Sequence, residues 1–164
     1  MNYPDILSPV LQFLPCTTPD AWIAEARRPE NLALLLTDHL VCELKAAQTA
    51  TLLIRKYVAD STAADTLLEW LKPYEVFTYR EGPEPDFIAL HKGISKSAIA
   101  VNGDPWVQSL VDKMVLLIKE ELHHFWQVRE VMQTRGIPYI KITASRYAKR
   151  LLREVRTWEP GTLV

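Results

Sequence analysis

Prolines 4, 9, 15, 19, 29, 73, 83, 85, 105, 138 and 160 divide the chain and leave two long windows, 30–72 and 106–137, without one. A proline inside a helix removes a backbone donor and collides with the preceding turn, so long helices are confined to such windows. The first window predicts a helix from Asn31 to about Ala59, with Leu36, His39, Leu40, Ala46, Ala47, Ala50, Ile54 and Tyr57 on one face. The second predicts a helix from the cap-and-proline start Asp104-Pro105 to about Thr134, stopped by Gly136 and Pro138. Shorter helices are expected from Thr18-Pro19-Asp20 to Ala26, from Ala63 to Leu71 with a stop at Lys72-Pro73, from Asp86 to His91, and from Ile140 to Trp158.

Residues 1–17 read as an irregular arm, and residues 73–105, with four prolines and three glycines, as an excursion between the long helices. That excursion is either a lid over a substrate or the crossover that a bundle needs. No strand-length alternation, glycine-rich phosphate loop, nucleophile elbow or internal repeat interrupts the pattern. The expected fold class is all-α, in a single domain spanning residues 1–164.

A net charge of −1 gives the whole molecule no attraction for a polyanion, so such a partner needs local clustering. The last predicted helix provides it: Lys141, Arg146, Lys149, Arg150, Arg153 and Arg156 stand against Glu154 alone. Those six are candidate RNA contacts, with Tyr147 and Trp158 available for stacking; a solvated basic face and ordinary core packing are the alternatives. Cys16 and Cys42 are too few and too far apart for a disulfide framework and read as small buried hydrophobes. No leader pattern opens the chain and no apolar run approaches a bilayer span, so a cytoplasmic protein with no membrane partner is expected. His91 reads as a surface histidine.

The chemistry is concentrated in Lys119-Glu120-Glu121-Leu122-His123-His124-Phe125, where a Glu precedes a His by three residues twice over. At about 100° per residue, Glu121 points with Met114, Leu117, Ile118, Phe125, Val128 and Met132, and His124 lies on the edge of that stripe. Glu120 and His123 are turned toward water, beside Lys119, Trp126 and Glu130. A carboxylate aimed inward costs several kcal/mol unless it is paired. The inward Glu121/His124 pair is therefore either half of a metal site or a core histidine beside a glutamate that snorkels to solvent, and spacing does not decide. Glu43 centres the apolar face of the first long helix, with small neighbours Ala46, Ala47 and Ala50 leaving room for an approaching helix or ligand. One helix giving Glu and another giving Glu-x-x-His is half of the carboxylate-bridged di-iron arrangement of helical bundles.

Longer stretches carry a resemblance. The opening Met1-Asn2-Tyr3-Pro4, the run from Leu34 to Ala50, Arg80 to Phe87, Lys119 to Val128 and Lys141 to Ala148 resemble the tRNA hydroxylases called MiaE, over essentially the whole chain. The resemblance implies a ferritin-like bundle with two iron ions in a non-haem centre. It implies hydroxylation of the isopentenyl side chain of 2-methylthio-isopentenyl-adenosine, beside the anticodon of tRNA, using dioxygen and an external electron donor. Glu43, Glu121 and His124 fall where that family places metal ligands. The family continues with two further long helices that supply a third carboxylate and a second Glu-x-x-His, whereas this chain stops at Val164. The expectation is the N-terminal half of a hydroxylase with half the metal ligands. The alternatives are a homodimer joining two half-sites, acting as a ferroxidase or hydroxylase, and a helical RNA-binding module without metal.

Overall fold

A computed structural model describes residues 3–13, 17–80, 82–101 and 104–141. Every regular element among them is helical: α1 (Tyr3–Phe13), α2 (Asp20–Ala26), α3 (Leu32–Tyr57), α4 (Ser61–Tyr79), α5 (Phe87–Gly93) and α6 (Pro105–Thr134), with 3-10 turns at Pro29–Asn31 and Lys96–Ala98. The fold is all-α. No helix among the described residues is long and apolar enough to cross a membrane. The predicted helix from Ile140 to Trp158 lies outside the described residues apart from its first two positions, Ile140 and Lys141.

The starts of α4, α5 and α6 are set by aspartates. Asp60 accepts from the Ala63 N–H at 2.8 Å, Asp86 from Ala89 at 3.0 Å and Asp104 from Trp106 at 2.8 Å, each satisfying a donor that the first turn leaves free. The end of α6 is equally explicit. Gly136 adopts φ +64°, its N–H bonds the Gln133 carbonyl at 3.0 Å, and the Ile137 N–H reaches back to Met132 at 2.8 Å, which is the Schellman pattern.

Helices α3 and α6 form the main seam of the molecule, and α4 packs on α3. The hydrogen bond from the Ile140 N–H to Thr37 Oγ1, at 3.2 Å, sets the start of α3 beside the end of α6, so the two long helices run antiparallel. The seam is lined by Leu40, Leu44, Ala47 and Ile54 from α3 and by Val111, Val115, Ile118, Leu122, Phe125 and Met132 from α6, all buried. At one end the rings of Tyr74, Phe77, Phe87 and Phe125 meet at centroid separations of 5.1–6.2 Å, in mostly edge-to-face contacts. Residues beyond α6 turn back over this cluster: Tyr139 donates to the Thr78 carbonyl at 3.3 Å and Lys141 to the Arg80 carbonyl at 2.8 Å.

Three expectations are corrected. The irregular arm contains helix α1, which accommodates Pro9. Helix α4 does not stop at Lys72-Pro73 but runs through Pro73 to Tyr79. The broken turn is offset by burial of Tyr74 and Phe77 against Phe87 and Phe125, a tertiary gain that local propensity does not register. Cys42 is exposed rather than buried, because α3 turns its neighbours Val41 and Leu44 inward instead; Cys16 lies outside the described residues.

A Cβ at Gly136 meets nothing within 4 Å, so a side chain there costs backbone strain alone. Gly136→Ala is expected to lower the unfolding free energy by about 1 kcal/mol in urea titration. A neutral substitution would show that α6 does not depend on this left-handed stop.

Candidate metal centre

Halfway along the seam, Glu43 of α3 meets Glu121 and His124 of α6. One ligand atom from each lies within 4.8 Å of the others. His124 Nδ1 stands 3.6 Å from Glu43 Oε2 and 4.0 Å from Glu121 Oε2. The two carboxylates are largely covered, with side-chain exposures of 15% and 19%, whereas His124 is 52% exposed and forms the outer edge of the cluster. Burial first, and then the hydrogen bond and charge of Glu43, push the Glu121 carboxyl up from 4.5 to about 6. Two carboxylates forced together at a helix seam favour either a shared proton or a cation. With an imidazole at the rim, the donor set of two anionic oxygens and one neutral nitrogen fits a divalent transition metal such as iron.

The sequence did not single out one further participant. His39 lies one turn before Glu43 and places Nε2 3.3 Å from Glu43 Oε1, so it holds the oxygen that faces away from His124. Its signal was the i, i+4 spacing to Glu43 on the same helical face.

Glu120 faces water as expected. His123 does not, and this is the main correction to the helical-wheel reading. It is half-buried, with its ring 5.1 Å from His91 and 5.2 Å from Trp126, and its Nδ1 is sealed from solvent without a hydrogen-bond partner. The cause is tertiary: α5 and the following 3-10 turn pack on that flank of α6, which a wheel drawn for one buried stripe leaves bare. His91 is accordingly half-buried rather than simply a surface histidine, and burial followed by the Lys119 charge lowers its pKa.

The buried stripe of α6 is also rotated from its expected position. Val111, Val115 and Leu122 are buried, whereas Leu117 is 42% exposed. Glu121 and His124 therefore lie on the border between the covered seam and a second apolar strip that includes Leu110, Leu117 and Val131, all exposed. Of the candidate RNA contacts, Lys141 is engaged with the Arg80 carbonyl, and Arg146, Lys149, Arg150, Arg153 and Arg156 lie outside the described residues.

Antiparallel helices holding two carboxylates and an imidazole at their midpoint define the class of helical proteins with a carboxylate-histidine site. Within that class the chain belongs to the family described as tRNA-(MS[2]IO[6]A)-hydroxylase (MiaE), whose model matches residues 5–164. It is 73% identical over 164 residues to the tRNA 2-(methylsulfanyl)-N(6)-isopentenyladenosine(37) hydroxylase of Salmonella typhimurium, covering 100% of this chain and 61% of that protein. It is 34% identical over 152 residues to the protein of the same name from Pseudomonas putida, covering 93% of this chain and 50% of that one. The chain thus spans between half and two thirds of the length of these relatives. No solved structure matches it.

Because the Glu121 pKa is raised in the folded chain, its favourable contribution in the metal-free state is complete below about 4.5 and is lost as the pH rises through about 6. Glu121→Gln carries no charge at any pH. It is expected to melt roughly 2–4 °C above the unsubstituted metal-free chain at pH 8 and level with it at pH 5. A lower melting temperature at pH 8 would show that the carboxylate pair is not repulsive.

Proposed function

We propose that this chain contributes Glu43, Glu121 and His124 to a non-haem di-iron centre. The reaction we assign to that centre hydroxylates the isopentenyl side chain of 2-methylthio-isopentenyl-adenosine beside the anticodon of tRNA. The observation that carries the reading is the convergence of these three side chains from two helices, in a member of the hydroxylase family. Bound iron supplies dioxygen activation. The overall change consumes dioxygen, two electrons from an external donor and two protons, and yields the alcohol and water. The chain's own residues hold the metal, with Glu43 and Glu121 contributing negative charge, His124 a neutral nitrogen and His39 the orientation of Glu43. As one domain over residues 1–164 it provides half of the ligands that a complete di-iron bundle uses. A tRNA substrate fits a protein working in the cytoplasm.

A second reading is favoured by the apolar strip beside the site. Leu53 and Tyr57 on α3, with Leu110, Leu117 and Val131 on α6, are exposed along the same side as the carboxylates. A second copy laid across that strip with two-fold symmetry brings together four carboxylates and two histidines, a full set for two irons in a homodimer with hydroxylase or ferroxidase activity.

Anaerobic loading with ferrous iron tests the ligands. The unsubstituted chain is expected to retain iron after gel filtration, Glu121→Ala and His124→Ala to lose it, and Glu120→Ala to keep it. His123→Ala is expected to keep iron while melting lower, through loss of its packing on His91 and Trp126. Retention by Glu121→Ala and loss by Glu120→Ala would refute the ligand assignment. About one iron per chain in a species of twice the chain mass supports the paired-copy reading, and a metal-free monomer overturns it. Activity is tested by incubating iron-loaded protein with prenylated, methylthiolated tRNA, a chemical reductant and dioxygen, followed by nucleoside mass spectrometry. One added oxygen atom on the modified adenosine supports hydroxylation, and ferrous oxidation without that product supports the ferroxidase alternative.

A further inference from the structure

Away from the carboxylates, the segment between α5 and α6 folds against α6 and encloses an open cavity of about 440 Å³. Its polar lining is cationic, with Lys96, Lys113 and Lys119 accompanied by the hydroxyls of Ser95 and Ser109. Asp112 is the acidic residue of the lining, and the Gln108 side-chain amide occupies one of its oxygens at 2.8 Å. None of the three lysines forms an ion pair with a carboxylate among the described residues. Three lysines against the single Asp112 carboxylate leave the lining with a net charge of 3 − 1 = +2, so the cavity keeps a positive field.

The walls are fixed in advance. Lys119 Nζ donates to the Ile94 carbonyl at 2.9 Å, which pins the start of the segment to α6. Gln108 pins its far end, donating to the Ile99 carbonyl at 3.0 Å and accepting from the Val101 N–H at 2.9 Å. Leu116, 54% exposed, gives the lining an apolar surface, and the buried Ile94 and Val115 back it. Ammonium groups and hydroxyls beside an exposed leucine match a phosphate joined to a flat, weakly polar ring system. The volume falls within the range of small-ligand sites.

We propose that this cavity is a phosphate-and-base subsite for one nucleotide of an RNA strand, with Lys96 and Lys113 contacting the phosphate and Leu116 receiving the base. The inference rests on the RNA substrate proposed above. The subsite is separate from the metal centre, about a third of a turn around α6 and roughly 12 Å along its axis. A single RNA strand covers that distance in a few nucleotides, so one substrate reaches both places. Lys119 is a positioning residue here, because its ammonium also holds the Ile94 carbonyl.

The test uses the full 164-residue chain and a fluorescein-labelled RNA stem-loop of anticodon-arm size, read by anisotropy across a salt titration. Lys96 and Lys113 are exposed, and the double variant Lys96→Ala/Lys113→Ala is expected to keep the helical circular dichroism and the melting temperature. It is expected to weaken RNA binding about ten-fold at low salt and to reduce the slope of log K against log salt by about 1.5. Lys96→Arg/Lys113→Arg is expected to stay within about two-fold of the unsubstituted chain, as is Lys56→Ala/Lys72→Ala, which removes the same charge from surface outside the cavity. Adenosine monophosphate, titrated calorimetrically, is expected to bind far more weakly than the stem-loop. Equal losses for the cavity and control pairs overturn the subsite while leaving the RNA reading in place. Tight mononucleotide binding that depends on Lys96 and Lys113, with RNA affinity unchanged by their loss, overturns the RNA assignment in favour of a free nucleotide. No RNA binding by the unsubstituted chain overturns both.

Discussion

The approach of Glu43 to Glu121 across the α3/α6 seam is the interaction on which the rest of the site depends. Helix packing brings two acids to within ligand distance of each other and of His124, and covers both enough to weaken their solvation. Burial and mutual charge push Glu121 toward its neutral form, so the metal-free centre is strained electrostatically while its frame is fixed by Leu40, Leu44, Ile118 and Leu122. A divalent cation reverses the sign of that interaction. A site of this kind favours a cation, because the fold has already met the cost of bringing the anions together.

Much of this frame was legible in the sequence. The proline-free windows gave α3 and α6 nearly to the residue, and for α6 the capping Asp104 and the left-handed Gly136 leave local marks that tertiary packing does not erase. Glu43, Glu121 and His124 emerged from helical facing together with the family resemblance, and the structure brings all three together. Helix α1 and the passage of α4 through Pro73 were not legible, because proline rules describe the local cost and not the aromatic burial that offsets it. His123 was misplaced for a related reason. A helical wheel assumes one covered side, and α6 is covered on two, by α3 and by the segment containing α5 and the 3-10 turn.

That double coverage explains how a single helix separates several environments. One flank of α6 faces α3 and carries the hydrophobic seam. Another meets α5, where His123 packs between His91 and Trp126 and where Lys119 and Gln108 pin the connecting segment. A third is the apolar strip that includes Leu110, Leu117 and Val131, which the described chain leaves open. Glu121 and His124 stand where the seam meets that strip, so their doubled motif is resolved by position: the neighbouring Glu120 and His123 are carried away from Glu43 by a turn of about 100°.

The border position also accounts for the unequal burial within the cluster. Ligands wholly inside the seam would sit at the desolvation limit, where an unpaired acid is expelled or kept protonated, and ligands wholly outside it would be too mobile to hold a fixed geometry. Glu43 and Glu121 lie on the inner side, at 15% and 19% exposure, and His124 on the outer side at 52%. The acids are thereby oriented by the core, whereas the imidazole keeps the freedom to close on a metal or on whatever covers the strip. A surface laid over Leu110, Leu117 and Val131 would bury His124 and lower the local dielectric around all three side chains, strengthening their attraction for a cation. Metal affinity and coverage of the strip are therefore thermodynamically linked in this architecture: each favours the other, because both act on the same two carboxylates.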